Sequence, residues 1–406
     1  MRVNYGQTVH GEEEIAAVVE VLRTSTQMGP KVREMQERVS KLFAKKHGIM
    51  VNSGSSANYL AMELLDLEEG SEVITPALTF ATTVAPIVRG RLVPAFIDAA
   101  VGTYNIDVEK IEEMITPKTK AMMIPSLIGN LPDWDRIREI ADHHGLMVIE
   151  DSADTLGATL RGESTGTRSE ISTTSFYGSH VINAAGNGGM LCVSDEELAR
   201  KALLLRSWGR TSSLYQDSES IEKRFNVDVD GISYDAKFLF DELGFNVEPS
   251  EMGAAFGLVQ LDKLENNISA REHNFARQME FFKQYEEWFI LPEQMPDSRT
   301  GWLSFPLTIR PDAPFERREL QIWFEERDIQ TRPVFTGNIL RQPAMQNVET
   351  RVTKDGYPVS DAVMRGGILL ACHHGLDEAQ IDYMHETFEG FAKSRLSNPI
   401  SEAANA

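Results

Sequence analysis

The stretch Ser175-Phe-Tyr-Gly-Ser-His180-Val-Ile-Asn-Ala-Ala-Gly-Asn-Gly-Gly189 contains one side chain that titrates near neutral pH, His180. Ser175 adds a hydroxyl, and Gly186, Gly188 and Gly189 let the backbone turn tightly or approach a ligand closely. The nearest following lysine, Lys201, lies outside the motif. A second candidate is Ser53-Gly-Ser-Ser-Ala-Asn58, set between an apolar run at 48–52 and an apolar-periodic run at 59–65. A strand, a small-residue turn and a helix start leave free backbone N–H groups facing outward, which suits an anion. The same pattern also fits an ordinary serine N-cap. The third candidate is Asp151, directly after the apolar run that starts at Leu146. A carboxylate at a strand end is costly unless it is solvated or paired with a cation.

These residues need a frame, and the hydropathy pattern supplies one. Helical spacing marks 12–22, 32–43, 80–88, 111–115, 134–143 and 196–207. Short apolar runs at 72–75, 92–98, 121–125, 146–151, 173–176 and 189–193 read as strands. This alternation predicts a largely parallel sheet covered on both faces, with ligands collecting at the carboxyl ends of its strands. Residues 210–246 are polar and poorly periodic and read as a long loop region. An apolar-faced helix follows at 252–264 and continues to about 289; then come a half-buried strand at 302–309, a helix at 318–327 and a closing helix at 381–393. That mixed remainder suits a small α+β domain.

The chain has 406 residues, more than one hydrophobic core usually organises. Its net charge of −21 gives no basic surplus to neutralise phosphates, which argues against nucleic-acid and anionic-membrane partners. The two cysteines, Cys192 and Cys372, provide neither a disulfide framework nor a thiolate cage. The His373-His374 pair reads as loop polarity, and no metal site is expected. The start of the chain lacks the apolar core of a signal peptide and no run reaches membrane-spanning length, so a soluble cytoplasmic protein is expected.

Six motifs then occur in a telling order: Gly54-Ser-Ser-Ala-Asn58, Ile149-Glu-Asp-Ser-Ala-Asp154, Ser175-Phe176, Gly188-Gly189, Gly244-Phe-Asn246 and Thr336-Gly-Asn-Ile-Leu-Arg-Gln-Pro343. Over nearly its whole length the chain resembles the sugar aminotransferase and dehydratase family, fold-type I enzymes dependent on pyridoxal phosphate (PLP). The resemblance implies an α/β fold of that type, with 1–265 as a large cofactor-binding domain, 266–396 as a small C-terminal domain and 397–406 as a flexible tail. It implies that Gly54, Ser55, Ser56 and Ser175 hold the cofactor phosphate, that Phe80 stacks on the pyridine ring, and that Asp151 pairs with the protonated ring nitrogen. Asp154 stands where the sugar aminotransferases commonly carry Gln or His, a departure towards the dehydratases. Asn246 resembles the residue that reaches the cofactor phosphate of the opposite subunit, which implies a homodimer with shared active sites. Asn338 and Arg341 are the expected substrate contacts, Arg341 to an anionic group.

The family's cofactor-binding lysine should stand where this chain has His180. Imidazole cannot hold the cofactor covalently, but it can move protons near pH 7. Lys-to-His at this position resembles the sugar-nucleotide 3-dehydratases of 3,6-dideoxysugar synthesis, a class of lipopolysaccharide building blocks. The implied reaction uses pyridoxamine phosphate (PMP) to remove the C3 hydroxyl of an NDP-4-keto-6-deoxyhexose. One branch of these enzymes carries four cysteines for an iron–sulfur cluster after Trp-Gly-Arg. Here Trp208-Gly-Arg210 is followed by a segment without cysteine. The resemblance therefore implies no cluster and no reductase partner, with L-glutamate restoring PMP. CDP, GDP and dTDP sugars all suit the family, and a PLP-dependent nucleotide-sugar aminotransferase is the alternative.

Overall fold

The computed structural model describes residues 1–215 and 220–396. The expected tail at 397–406 lies outside the described residues. In chain order the first elements are α1 (Glu12–Thr24), α2 (Pro30–Leu42), β1 (His47–Val51), α3 (Gly54–Leu64), β2 (Glu72–Pro76), α4 (Ala81–Arg89) and β3 (Val93–Ile97). Next come β4 (Thr119–Pro125), α5 (Trp134–His144), β5 (Met147–Asp151), β6 (Thr159–Leu160), β7 (Glu163–Ser164), β8 (Ile171–Ser175), β9 (Gly189–Val193) and α6 (Glu196–Arg206).

The main sheet has the order β1-β9-β8-β5-β4-β2-β3. The pairs β3–β2, β2–β4, β4–β5 and β5–β8 are parallel, whereas β9 runs antiparallel to both β8 and β1. The sheet is thus mixed and mostly parallel. Every residue of β2, β3, β8 and β9 is buried, as two-face burial by crossover helices requires. One face packs Ile49, Val51, Ile149 and Leu191 with α3 and α6 residues such as Leu60 and Leu205. The other packs Ile74, Met122, Ile124 and Val148 against Trp134, Ile137 and Ile140 of α5. Truncating the fully buried Trp134 to alanine costs about 3–5 kcal/mol by this packing.

Register then sets the site. Asp151 stands beside Pro125 on one side and Thr173 on the other, at the carboxyl ends of three parallel strands. Gly189 lies between Val51 and Ser175. A Cβ at Gly189 would fall 2.3 Å from the Ser53 carbonyl oxygen, so only glycine lets β9 pass under the start of α3.

The segment read as a loop region contains α7 (Ile221–Phe225) and a hairpin of β10 (Val227–Val229) with β11 (Ile232–Tyr234). Period-2 alternation is hard to see in three-residue strands whose side chains are largely exposed. The helix expected at 111–115 is instead a pair of 3₁₀ turns, Val108–Lys110 and Glu112–Met114. The long helix begun at 252 breaks at Lys263 into α8 (Glu251–Asp262) and α9 (Leu264–Phe282).

The remaining elements are β12 (Phe289–Ile290), β13 (Ser298–Arg299), β14 (Ser304–Ile309), α10 (Arg317–Glu325), β15 (Arg332–Pro333), α11 (Pro358–Gly366), β16 (Gly367–Ala371) and α12 (Glu378–Leu396). Strands β12-β14-β16-β15 form an antiparallel four-stranded sheet. Its apolar cluster joins Phe282, Phe305, Phe324 and Phe388 and also draws in Val3, Leu78 and Ile128 from earlier in the chain. The two sheets therefore meet through buried side chains beside the carboxyl ends of the main strands.

Candidate active site

A cavity of about 640 Å³ opens at those strand ends, lined by residues that include Tyr5, Gly54, Ser55, Asn58, Phe80, Asp151, Asp154, Ser175, Tyr177, His180 and Phe335. No lysine is among its lining residues. At one end lies the start of α3. Ser53 caps it by accepting the Ser56 N–H at 3.1 Å. The N–H groups of Gly54 and Ser55 open the helix without intrahelical acceptors, and with the helix dipole they favour an anion. Gly54 packs so closely on β8 that a Cβ there would fall 2.6 Å from Ser175 Cβ. Ser56 does not line the cavity: its hydroxyl donates to Asn52 Oδ1 at 2.7 Å.

Asp151 forms the floor. It is 5% exposed, and its Oδ2 accepts hydrogen bonds from Asn58 Nδ2 at 2.8 Å and Thr83 Oγ1 at 2.9 Å. Its Oδ1 accepts from the Ala153 N–H at 3.2 Å. No cation among the described residues pairs with this carboxylate, and burial raises its pKa against those three hydrogen bonds. A ligand carrying a protonated ring nitrogen supplies the missing positive charge. Phe80, at the N-cap of α4, is 49% exposed and meets Phe335 edge-on with ring centroids 5.7 Å apart, leaving its ring free to stack on a planar ligand. An anion seat, a stacking ring and an unpaired buried carboxylate are what a phosphorylated pyridine requires, so the residues present fit PLP or PMP.

His180 sits across the cavity. Its Nδ1 is 3.1 Å from the Ser175 carbonyl oxygen, and a carbonyl can only accept, so the proton is assigned to Nδ1. Nε2 is then the free base, 3.7 Å from Asp154 Oδ1. Burial pushes the His180 pKa down to about 4. Burial likewise pushes Asp154 up to about 7, although its Oδ2 accepts the Ile128 N–H at 2.9 Å. Ile128 makes that bond with φ +62°, a left-handed conformation that costs a β-branched residue about 1–3 kcal/mol. The neighbouring Ile128 carbonyl is held by the Leu303 N–H at 2.8 Å.

Of the residues singled out from the sequence, the fold brings Gly54, Ser55, Phe80, Asp151, Asp154, Ser175 and His180 to this cavity. Asn338 and Arg341 lie elsewhere: both bind the Asp361 carboxylate. Asn246 bridges Ser207 beyond the cavity wall. Tyr5, Asn58, Thr83 and Phe335 were missed. Asn58 closes the Gly54-Ser-Ser-Ala-Asn58 motif, four residues after Gly54 and so on its helix face. Tyr5 and Phe335 arrive through long-range packing that no local spacing records.

The model of the DegT/DnrJ/EryC1/StrS aminotransferase family matches residues 8–389. The dTDP-4-dehydro-2,6-dideoxy-D-glucose 3-dehydratase of Saccharopolyspora spinosa is 35% identical over 401 residues, covering 96% of this chain and 86% of the relative. The GDP-4-keto-6-deoxy-D-mannose 3-dehydratase of Escherichia coli O55:H7 is 30% identical over 369 residues, covering 89% and 92%. Among solved structures, the E. coli GDP-4-keto-6-deoxy-D-mannose-3-dehydratase with bound hydrated PLP superposes with a TM-score of 0.86 at 29% identity, covering 95% of this chain and 100% of the other. GDP-4-keto-6-deoxymannose-3-dehydratase with a trapped PLP-glutamate geminal diamine gives the same TM-score at 27% identity and the same coverage.

Proposed function

The chain belongs to the DegT/DnrJ/EryC1/StrS aminotransferase family, and we propose that it is a PMP-dependent NDP-4-keto-6-deoxyhexose 3-dehydratase. The observation that carries this reading is the imidazole of His180 in a cavity whose lining contains no lysine. The 3-dehydratase relatives support the same reaction class.

When bound, PMP supplies the amine that condenses with the 4-keto group and a conjugated ring that takes up electrons. The chain's residues do the rest. The α3 amides and Ser175 hold the phosphate, and Asp151 keeps the ring nitrogen protonated. Phe80 fixes the ring plane. His180 takes up a proton at Nε2 and delivers it to the departing C3 hydroxyl, so that one group serves as base and then acid. Burial keeps Nε2 unprotonated and ready for the first transfer.

Loss of the hydroxyl as water leaves the sugar two electrons more reduced. Those electrons come from glutamate, which is oxidised to 2-oxoglutarate while its nitrogen leaves as ammonia. No reductase is required in this scheme. Cys192 and Cys372 are both buried, with burial raising each thiol pKa, and neither lines the cavity. We further propose a homodimer in which Asn246 completes the partner's phosphate site. It is supported by exposed apolar side chains between residues 215 and 245, Tyr215, Phe225, Ile232, Phe240 and Leu243 among them, with Leu243 96% exposed. No helix among the described residues is long and apolar enough to cross a membrane.

The test is turnover of a 4-keto-6-deoxy sugar nucleotide by the purified enzyme with PLP and glutamate. A 3-deoxy ketosugar, with equimolar 2-oxoglutarate and ammonia and no added reductase, is expected. A 4-amino sugar would make the protein an aminotransferase instead.

A further inference from the structure

Helix α9 carries a polar stripe through the interior. Asn267, Arg271, Asn274 and Gln278 recur at helical spacing and are all buried, Arg271 and Gln278 at 0% exposure. Each donates to main-chain carbonyls outside its helix. Asn274 Nδ2 reaches the His373 oxygen at 2.9 Å, and Gln278 Nε2 reaches the Ala371 oxygen at 3.4 Å. The other two residues grip the turn that presents His180. Arg271 Nη2 donates to the Ser179 oxygen at 3.0 Å, and Asn267 Nδ2 donates to the Val181 oxygen at 2.9 Å. The two carbonyls flank His180 in the chain.

The guanidinium is fixed from its far side as well. Nη1 donates to the Trp302 and Leu303 oxygens at 3.0 and 3.2 Å, and Nε donates to His374 Nδ1 at 3.2 Å. Arg271 is in no ion pair among the described residues, and burial pulls its pKa down to about 10, so it is a cation at neutral pH. Burying a cation on carbonyls and one imidazole nitrogen, with no carboxylate in an ion pair, is costly, and an apolar side chain would fill the space with less penalty. From the opposite side, Thr8 Oγ1 donates to the Gly178 oxygen at 3.1 Å. Gly6 also packs on Ser179, where a Cβ would fall 2.7 Å from Ser179 Cβ.

We infer that Asn267 and Arg271 are positioning residues for His180, a two-point cradle that fixes the peptide on each side of it and so aims Nε2 into the cavity. The consequence for rate rests on His180 being the proton-transfer group of the proposed reaction. The titratable and charged groups around that imidazole are Asp151 at the end of β5, Asp154 just after it, Tyr177 on its own turn, Tyr5 from the N-terminal segment and Arg271 on α9, backed by His373 and His374.

The experiment uses the full chain with four substitutions: Asn267→Leu, Arg271→Lys, Arg271→Met and, as a control on the same stripe away from His180, Gln278→Leu. Asn267→Leu and Arg271→Lys are expected to lower kcat per folded molecule by about 10- to 100-fold while KM stays within about twofold. Amide hydrogen exchange at 178–182 is expected to rise by about tenfold or more in both. Arg271→Met, which also removes the charge, additionally moves the acid limb of the rate profile to higher pH, whereas Arg271→Lys leaves it in place. Gln278→Leu lowers thermal stability with kcat and exchange at 178–182 unchanged. The cradle is refuted if Asn267→Leu and Arg271→Lys behave like Gln278→Leu in both readouts. A wild-type enzyme without turnover refutes the dehydratase reading, and the exchange measurement then still decides the cradle.

Discussion

His180 Nε2 and Asp154 Oδ1 stand 3.7 Å apart with their proton affinities inverted: burial takes the imidazole down to about 4 and the carboxyl up to about 7. In an ordinary pair the imidazole holds the proton and the carboxylate the charge. Here burial leaves His180 neutral and lets Asp154 keep its proton into the neutral range.

That inversion fixes the acid side of the pH profile. His180 loses activity only as it protonates, so kcat/KM is expected to hold down to about pH 5 and fall below it. A midpoint near 6.5 would show an imidazole in ordinary solvent. The same pair affects stability in the cofactor-free protein. The folded pKa of Asp154 lies above its unfolded value, so its share of stability is present at low pH and is lost as pH rises towards 7. Asp154→Asn is therefore expected to match wild type at pH 4 and to be more stable at pH 8, by on the order of 1–3 kcal/mol, in urea unfolding.

Replacing His180 tests the proton transfer itself. His180→Asn is expected to lower kcat by about 10²–10⁴ while the cofactor still binds, the range a single acid–base group supplies. His180→Lys should lose dehydration and retain the cofactor through gel filtration, because its amine bonds to the aldehyde. Unchanged dehydration in either variant would remove His180 from its role.

Asp151 predicts opposite effects with and without cofactor. Its buried carboxylate lacks a cation, and its pKa is raised, so it destabilises the empty protein as pH rises. Asp151→Asn is expected to raise the melting temperature of the cofactor-free protein at pH 8 by roughly 2–4 °C. It should also shrink the further rise that PLP gives wild type. Calorimetry of both forms measures the two terms.

Gly54→Ala tests the anion seat through space alone. The added Cβ, 2.6 Å from Ser175 Cβ, must part α3 from β8, at about 1–3 kcal/mol. Weaker PLP binding by absorbance titration, with the far-ultraviolet circular dichroism spectrum intact, is expected.

The shared-site homodimer is tested at Leu243. Leu243→Asp is harmless on an isolated chain, where the residue is 96% exposed, but breaks a dimer that buries it. Light scattering should report a monomer without turnover. Mixed dimers of Asn246→Ala and His180→Asn subunits should recover part of the activity that neither parent has, because one of their two sites is then intact.

Much of this was legible in the sequence because it depends on local pattern. Asp151 ends an apolar run and Ser175 lies in the short run read at 173–176, so the alternation of elements put both near strand ends, although β8 itself spans Ile171–Ser175. Gly54 and Ser55 open a helix after a strand, which is likewise visible as a string of residues. Arg271 and Asn267 were not legible. On a charged helix they read as solvated positions, and only the packing of α9 on the turn at 178–181 reveals their partners. The partner of Arg341 was not legible either: the fold pairs it with Asp361, twenty residues further along the chain. The antiparallel direction of β9 was hidden too, since a buried five-residue strand looks alike in either orientation.

The carboxylate of Asp151 also bears on how much of this protein a cell keeps. A chain that carries an uncompensated buried charge until its vitamin-derived partner arrives is least stable when newly made. Binding then adds stability in proportion to the logarithm of cofactor supply. Chains made under vitamin B6 shortage spend more time unfolded and are degraded first. Enzyme abundance is then expected to follow cofactor supply.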